Sequence, residues 1–238
     1  MQKQPVRFNE WIQGGFNLYK DNFAVLFPAT LIAAVLSSFT FFILAGPMTV
    51  GLVWIVLRLI DGKEPKPEIG DVFKGFDLFL PSFLFFLGVG LVSIIGSTVL
   101  GIVPFFGSLL GVLFVYGLGT VVMFGIFLIA EQKQDAWTAA VKSFETVKMN
   151  FWPFLGVYVV ACLLSSIGFI VCGIGIVITL PLMVCILGVA YRDVFSGSGS
   201  PAPVGGETPP EQADQPEEPA MEATEAAAVP EEPETADK

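Results

Sequence analysis

Three long stretches of this chain contain no charged residue: Asn22 to Leu57, Leu78 to Ala130, and Met149 to Tyr191. Each exceeds the about 20 residues needed for one membrane crossing and has room for two. Water cannot satisfy backbone groups inside hydrocarbon, whereas a helix satisfies its own. The pattern disfavours a β-barrel, whose strands alternate apolar and polar residues, because these runs are continuously apolar. The runs also account for the composition, which is 54% hydrophobic and only 14% charged, against about 25% charged in ordinary globular chains. The expected fold is therefore an all-α integral membrane protein with six transmembrane helices in three hairpins. The spans are expected at about 23–40, 42–60, 81–100, 104–129, 151–171 and 174–192.

The charges fall at alternate junctions. Lys3, Arg7 and Lys20 precede the first hairpin. Arg58, Lys63, Lys66 and Lys74 separate it from the second, Lys133, Lys142 and Lys148 precede the third, and Arg192 closes it. The turns within the hairpins, near Gly46-Pro47, Val99–Pro104 and Cys172–Gly175, carry none. Basic residues stay on the cytoplasmic side, so both termini are expected there, with Arg58 and Arg192 snorkelling to headgroups from helix ends. The first apolar run is expected to act as an uncleaved anchor. A helix starting near Phe41 would be bent at Pro47, as Pro181 would bend the last one; a turn anywhere from Phe39 to Pro47 also fits.

Up to Phe195, basic and acidic residues balance at eleven each, so the net charge of −10 belongs to the remainder. Residues 196–238 begin with a Ser-Gly linker and continue in Pro, Glu, Ala and Thr without an aromatic residue. Such a segment cannot bury enough apolar surface to offset its ordering entropy, and a disordered acidic cytoplasmic tail is expected. No basic nucleic-acid footprint exists.

An internal repeat is legible. Placing Phe16 on Phe76 and Phe144 aligns three segments without a gap; Gly15, Gly75 and Ser143 coincide, and Ser37-Ser38 falls on Ser97-Thr98 and Ser165-Ser166. The unit would be an amphipathic helix, an outgoing span, a turn and a returning span, so the three hairpins would share one orientation. The amphipathic helices are expected at about 8–20, 68–79 and 135–148, with Asp135 capping the third. Short helices with aromatic faces suit the headgroup boundary, where Trp11, Phe16, Phe76, Trp137 and Phe144 would serve as anchors. Covering the cytoplasmic ends of the bundle is the other use open to them.

The search for reactive groups returns little. There is no histidine, which removes most acid–base, metal and triad arrangements. The expected membrane interior has no Asp, Glu, Lys or Arg, which disfavours a proton-coupled pump. No phosphate-binding GxxxxGK[ST] segment occurs. Cys162, Cys172 and Cys185 lack metal-binding spacing, and no cofactor or metal is expected. The border cluster Asp61, Glu64, Glu68, Asp71 and Asp77 is interleaved with Lys63, Lys66 and Lys74 and reads as a self-paired loop, the alternative being a magnesium or catalytic site. The hydroxyls Ser37, Ser38, Ser97, Thr98, Ser165 and Ser166 fit helix packing at about 0.6 kcal/mol per contact, or else a polar lining. Gly107 and Gly111 match the GxxxG packing pattern, with self-association a further option.

The segments Trp11–Phe23 (WIQGGFNLYKDNF) and Gly70–Asp77 (GDVFKGFD) resemble a group of poorly characterised bacterial six-helix membrane proteins. That group is similar to the membrane domain of some glycerophosphoryl diester phosphodiesterases and to the YciC-like inner-membrane proteins. The resemblance covers about Phe8 to Phe195 and implies the architecture and a bacterial inner membrane. It carries over no catalytic residue, since phosphodiesterase activity uses histidines and carboxylates of a separate domain. The function expected is non-enzymatic: a multi-pass protein organising lipids or membrane partners, with a tail that recruits a cytoplasmic partner. An uncoupled transporter or channel is the main alternative, and a lipid-modifying enzyme working through the Asp61–Asp77 loop is a third.

Overall fold

The computed structural model describes residues 7–103, 106–170 and 175–195, and the expected tail lies outside them. All regular structure among the described residues is helical. Three helices are long and apolar enough to cross a membrane: Ile69–Gly101, Gly107–Gln132 and Val177–Phe195. The number rises to five if each of two sharply bent helix pairs forms one span, and Ala45–Ile60 is a shorter apolar helix. Length and composition thus give three to five spans among the described residues.

The bends fall where amphipathic sequence gives way to uniformly apolar sequence. Helix α1 (Phe8–Asp21) turns by 90° into α2 (Phe23–Phe39). At the corner, Asn22 donates to the Leu18 carbonyl through both its backbone amide, 3.2 Å, and its side-chain amide, 3.0 Å. Those bonds satisfy an orphan carbonyl of the helix end and stop α1 there. A second corner lies at Asn150, where α7 (Ala136–Lys148) turns by 112° into α8 (Phe151–Ile170). Asp135 opens α7 by accepting from the Thr138 amide at 3.1 Å. That bond holds the exposed carboxyl below the usual carboxylate range. The cap therefore contributes fully above the unfolded value of 3.8 and is lost as pH falls through the lowered folded value.

The second amphipathic stretch departs from expectation. Ile69–Leu78 is a 3₁₀ helix that runs straight into α4 (Phe79–Gly101). It opens on a reciprocal cap, in which the Glu68 amide donates to Asp71 Oδ2 at 2.9 Å. A 3₁₀ helix is thinner than an α-helix, and here the backbone is pressed onto α3 (Ala45–Ile60). A methyl group on Gly75 would overlap the Pro47 carbonyl oxygen, and one on Gly51 would overlap that of Val72. The turn before α3 occupies Thr40–Leu44, so Pro47 lies in the first helical turn instead of bending a helix begun at Phe41. A proline there costs no hydrogen bond, because those amides have no partner within the helix. Pro181 does lie inside α9 (Gly175–Phe195).

Each amphipathic helix packs on a returning helix from another hairpin. Helix α1 lies on α9, the 3₁₀ helix on α3, and α7 on the pair α5 (Gly107–Val122) and α6 (Gly125–Gln132). The seats are Gly15, Gly75 and Ser143. A methyl group on Gly15 would stand 2.6 Å from Ile186 Cα. Ser143 Oγ donates to the Val121 carbonyl at 2.7 Å and accepts from the Phe124 amide at 3.2 Å. It thereby bridges the break between α5 and α6, a side chain inserted into the helical ladder. The returning helices meet where a methyl group on Gly188 would stand 2.9 Å from Val56 and 3.5 Å from Phe127. Burial concentrates there, whereas α4 buries only Ser82 and Phe85.

Adding a methyl group at these seats forces backbones apart, and overpacking of this kind costs about 1–3 kcal/mol. Gly75→Ala and Gly51→Ala should each lower thermal stability in detergent. Gly88→Ala, where nothing stands within 4 Å of the new carbon, should leave the melting temperature unchanged.

Candidate functional site

The most connected polar cluster lies at the C-terminal ends of α3, α6 and α9. Each uncharged run ends in a charged residue, and the packing of the returning helices brings those ends together. Arg192 Nη2 donates to Asp61 Oδ2 at 2.7 Å, and Nη1 pairs with Glu131 Oε1. The Tyr191 hydroxyl donates to Glu131 Oε2 at 2.6 Å. Lys63 pairs with Asp61 at 2.8 Å, and Lys142 donates to Gln132 Oε1 at 2.6 Å. Only 19% of the Arg192 side chain is exposed. A guanidinium suits this place because its planar fork serves two carboxylates at once. It also lies in the last turn of α9, where a cation is favoured by the helix dipole. Glu131 meets the unfavourable sign of that dipole at the end of α6, and Arg192 offsets it.

Both carboxylates are committed to the same cation, so neither is placed as an unencumbered acid, base or metal ligand. Among the described residues no group of three His, Cys, Asp or Glu side chains is placed to hold a metal ion. The junction is a clamp joining the ends of three helices. A second polar group flanks Trp54. The Arg58 guanidinium lies 4.8 Å and Lys74 Nζ 4.0 Å from its ring centroid, while Lys74 pairs with Asp71 at 2.8 Å.

Of the expected interfacial anchors, Phe16, Phe76, Phe144 and Trp137 are exposed, Trp137 to 78%. Trp11 is not: it is 1% exposed, stacks on Phe154 at 5.9 Å and donates to Asp193 Oδ2 at 3.0 Å. The cause is its position on the face of α1 that meets α9, where its N–H finds a carboxylate. Arg58 and Arg192 likewise do not reach outward as expected. Protein partners hold them: Trp54 and the Glu64 and Pro65 carbonyls for Arg58, and Asp61 and Glu131 for Arg192.

The hydroxyl pairs lie on α2, α4 and α8, which do not pack face to face. Ser38 Oγ donates to the Ala34 carbonyl at 2.8 Å, Ser97 Oγ to that of Ile94 at 3.1 Å, and Ser166 Oγ to that of Cys162 at 2.7 Å. Ser37 is buried, Thr98 is exposed, and the Ser165 carbonyl accepts from Thr179 of α9. Ser165 and Ser166 border an open cleft of about 340 Å³ with Tyr116, Tyr158 and Cys162. Gly107 and Gly111 face α4, near Gly101 and Ser97 respectively.

Sequence reasoning missed Glu131, Tyr191 and Asp193, and it aligned Ser143 with Gly15 and Gly75 without assigning it a bond. Its available signal was the charged residue ending each apolar run, which marks a common level without naming partners. Comparison with protein-family models, curated proteins and solved structures gives no match.

Removing the guanidinium strands two carboxylates, a loss tempered by partial exposure and worth about 2 kcal/mol. Arg192→Gln should therefore melt earlier than the parent in detergent, with Arg192→Lys intermediate because it keeps the charge and loses the fork. Glu131→Gln combined with Arg192→Gln should recover part of the loss in a double-mutant cycle.

Proposed function

We propose that this is a non-enzymatic multi-pass membrane protein that organises lipids or membrane partners. Its helices are read as three like-oriented hairpins entering a bacterial inner membrane from the cytoplasmic side, where both termini lie. The observation that carries the proposal is the arrangement of the three amphipathic helices. Each seats Gly15, Gly75 or Ser143 on the returning helix of another hairpin and leaves the adjoining Phe16, Phe76 or Phe144 exposed. Residues aligned by the internal repeat thus recur in equivalent places, which supports a three-unit origin and the resemblance to six-helix inner-membrane proteins. Aromatic side chains on helices turned by 90° and 112° from the apolar helices suit the level of lipid headgroups. A non-enzymatic role is supported by the absence of histidine and by the commitment of Asp61 and Glu131 to Arg192.

The acidic segment 196–238 is assigned to a cytoplasmic recruiting arm. A transport route between the units is disfavoured by the filled meeting point of the returning helices at Val56, Phe127 and Gly188.

Replacing Phe16, Phe76 and Phe144 together by serine should reduce the phospholipid that co-purifies with the gently solubilised protein by about twofold, through lost interfacial burial. Unchanged lipid content would remove these rings from the function. Deleting Ser196–Lys238 should leave insertion intact and weaken partner capture in crosslinking pull-downs. Cysteines placed at Ser37, Ser97 and Ser165, after replacement of the native cysteines, should all resist a water-soluble maleimide, whereas labelling of all three would favour a wet route.

A further inference from the structure

The turn of the first hairpin is unlike a turn made for water. Phe39, Phe41 and Phe42 are 82%, 90% and 74% exposed, and Ile43 beside them is also exposed. Phe41 and Phe42 have φ of 49° and 64°, a left-handed conformation that non-glycine residues seldom adopt. What the conformation secures is hydrogen bonding. Every backbone N–H from Thr40 to Ala45 has an acceptor inside the turn or the adjoining end of α2. Thr40 donates to Leu36 at 3.2 Å, Phe41 to Ser38 at 3.3 Å, Phe42 to Ser37 at 2.8 Å, Ile43 to Thr40 at 3.0 Å and Ala45 to Phe42 at 3.1 Å. The Leu44 amide reaches the Thr40 hydroxyl at 3.4 Å. A turn in water could leave those amides to solvent; one in hydrocarbon cannot.

Its level agrees. A methyl group on Gly46 would stand 2.8 Å from the Ser82 carbonyl, so α3 begins beside the first turn of α4. Phe41, Phe42 and Ile43 line an apolar cleft of about 420 Å³ with Phe83, Phe86 and Ile94 of α4. Yet α4 runs on past Ile94, the last of its residues to line that cleft, to Gly101, about 10 Å at 1.5 Å per residue. Helices α2 and α3 have 17 and 16 residues, short of the about 20 that a crossing takes.

We infer that the first hairpin is re-entrant: its turn, Thr40–Leu44, ends inside the hydrocarbon and is covered by lipid acyl chains, not by water on the far side. The inference rests on the chain being membrane-embedded and adds that the hairpin stops short of the far boundary while α4 extends beyond it. Both termini keep the same side, because a hairpin that dips and returns leaves topology unchanged. The exposed phenylalanines are then a lipid-contacting tip, and a cleft beside α4 accommodates an acyl chain.

Spin labels at single cysteines in an otherwise cysteine-free variant, reconstituted in phosphatidylethanolamine–phosphatidylglycerol vesicles, test it. Labels at Phe42→Cys, at Leu91→Cys on α4, at Ile102→Cys in the second turn and at Lys66→Cys in the charged loop would be compared for collision with oxygen and with a water-soluble nickel chelate. The Phe42 label should collide freely with oxygen and about tenfold less with nickel than the Lys66 label, as hydrocarbon exclusion of polar solutes requires. It should also report a deeper position than Ile102. Nickel access within twofold of Lys66, a depth equal to that of Ile102, or exclusion of both reagents by protein would each overturn the inference. A wet Leu91 label would instead reject the membrane embedding on which it rests.

Discussion

Lipid tails are as apolar as leucine, so helices in a membrane gain little by hiding apolar surface from their surroundings. What holds them is close backbone approach and polar bonding, and this fold depends on three places where that is achieved. At Gly15 and Gly75 the absence of a side chain lets an amphipathic helix lie directly on a returning helix; at Ser143 a small hydroxyl repairs a broken one. The 3₁₀ form of Ile69–Leu78, the interruption between α5 and α6, and the burial of Val72 and Val147 all follow from these contacts. Outside them the helices are loosely covered, as the exposed length of α4 shows.

The same packing sets the level at which the apolar runs end. Asp61, Glu131 and Arg192 are distant in sequence and meet because their helices are seated in fixed register. An ion pair joining three helix ends is worth modest energy where partly exposed, yet its bidentate geometry tolerates little sliding of one helix along another. Trp11 and Asp193 add a fourth tie between α1 and α9. Protein partners bind these groups, and the faces left exposed are those bearing Phe16, Phe76, Phe144 and Trp137.

Much of the local structure was legible from patterning. Alternation between amphipathic and uniformly apolar sequence marks the corners at Asn22 and Asn150, and Asp135 three residues before Thr138 marks the start of α7. The 3₁₀ helix was not legible, because Ile69–Leu78 has the apolar spacing of an α-helix and departs from it only under contact with α3. Of the two readings open for Pro47, the structure selects the turn before it over the bend, and a proline in an apolar run fits either until that turn is located. Trp11 and Phe16 both read as aromatic residues of one amphipathic face, and a hydrophobic stripe does not say which of its rings will be enclosed.

By itself, the sequence determined that the chain is helical and lipid-soluble, where charge-free runs begin and end, and that no histidine-based chemistry is present. Those are properties of hydropathy and residue type along one dimension. The tertiary structure alone decided that α1 closes onto α9, that Arg192 is shared between Asp61 and Glu131, that Trp11 is enclosed, and that the first turn lies beside the beginning of α4. The physical reason is that apolar helix faces in hydrocarbon are nearly interchangeable, so hydropathy carries almost no information about partners. Pairing is chosen by steric fit at a few small residues and by the few polar groups that must find one another.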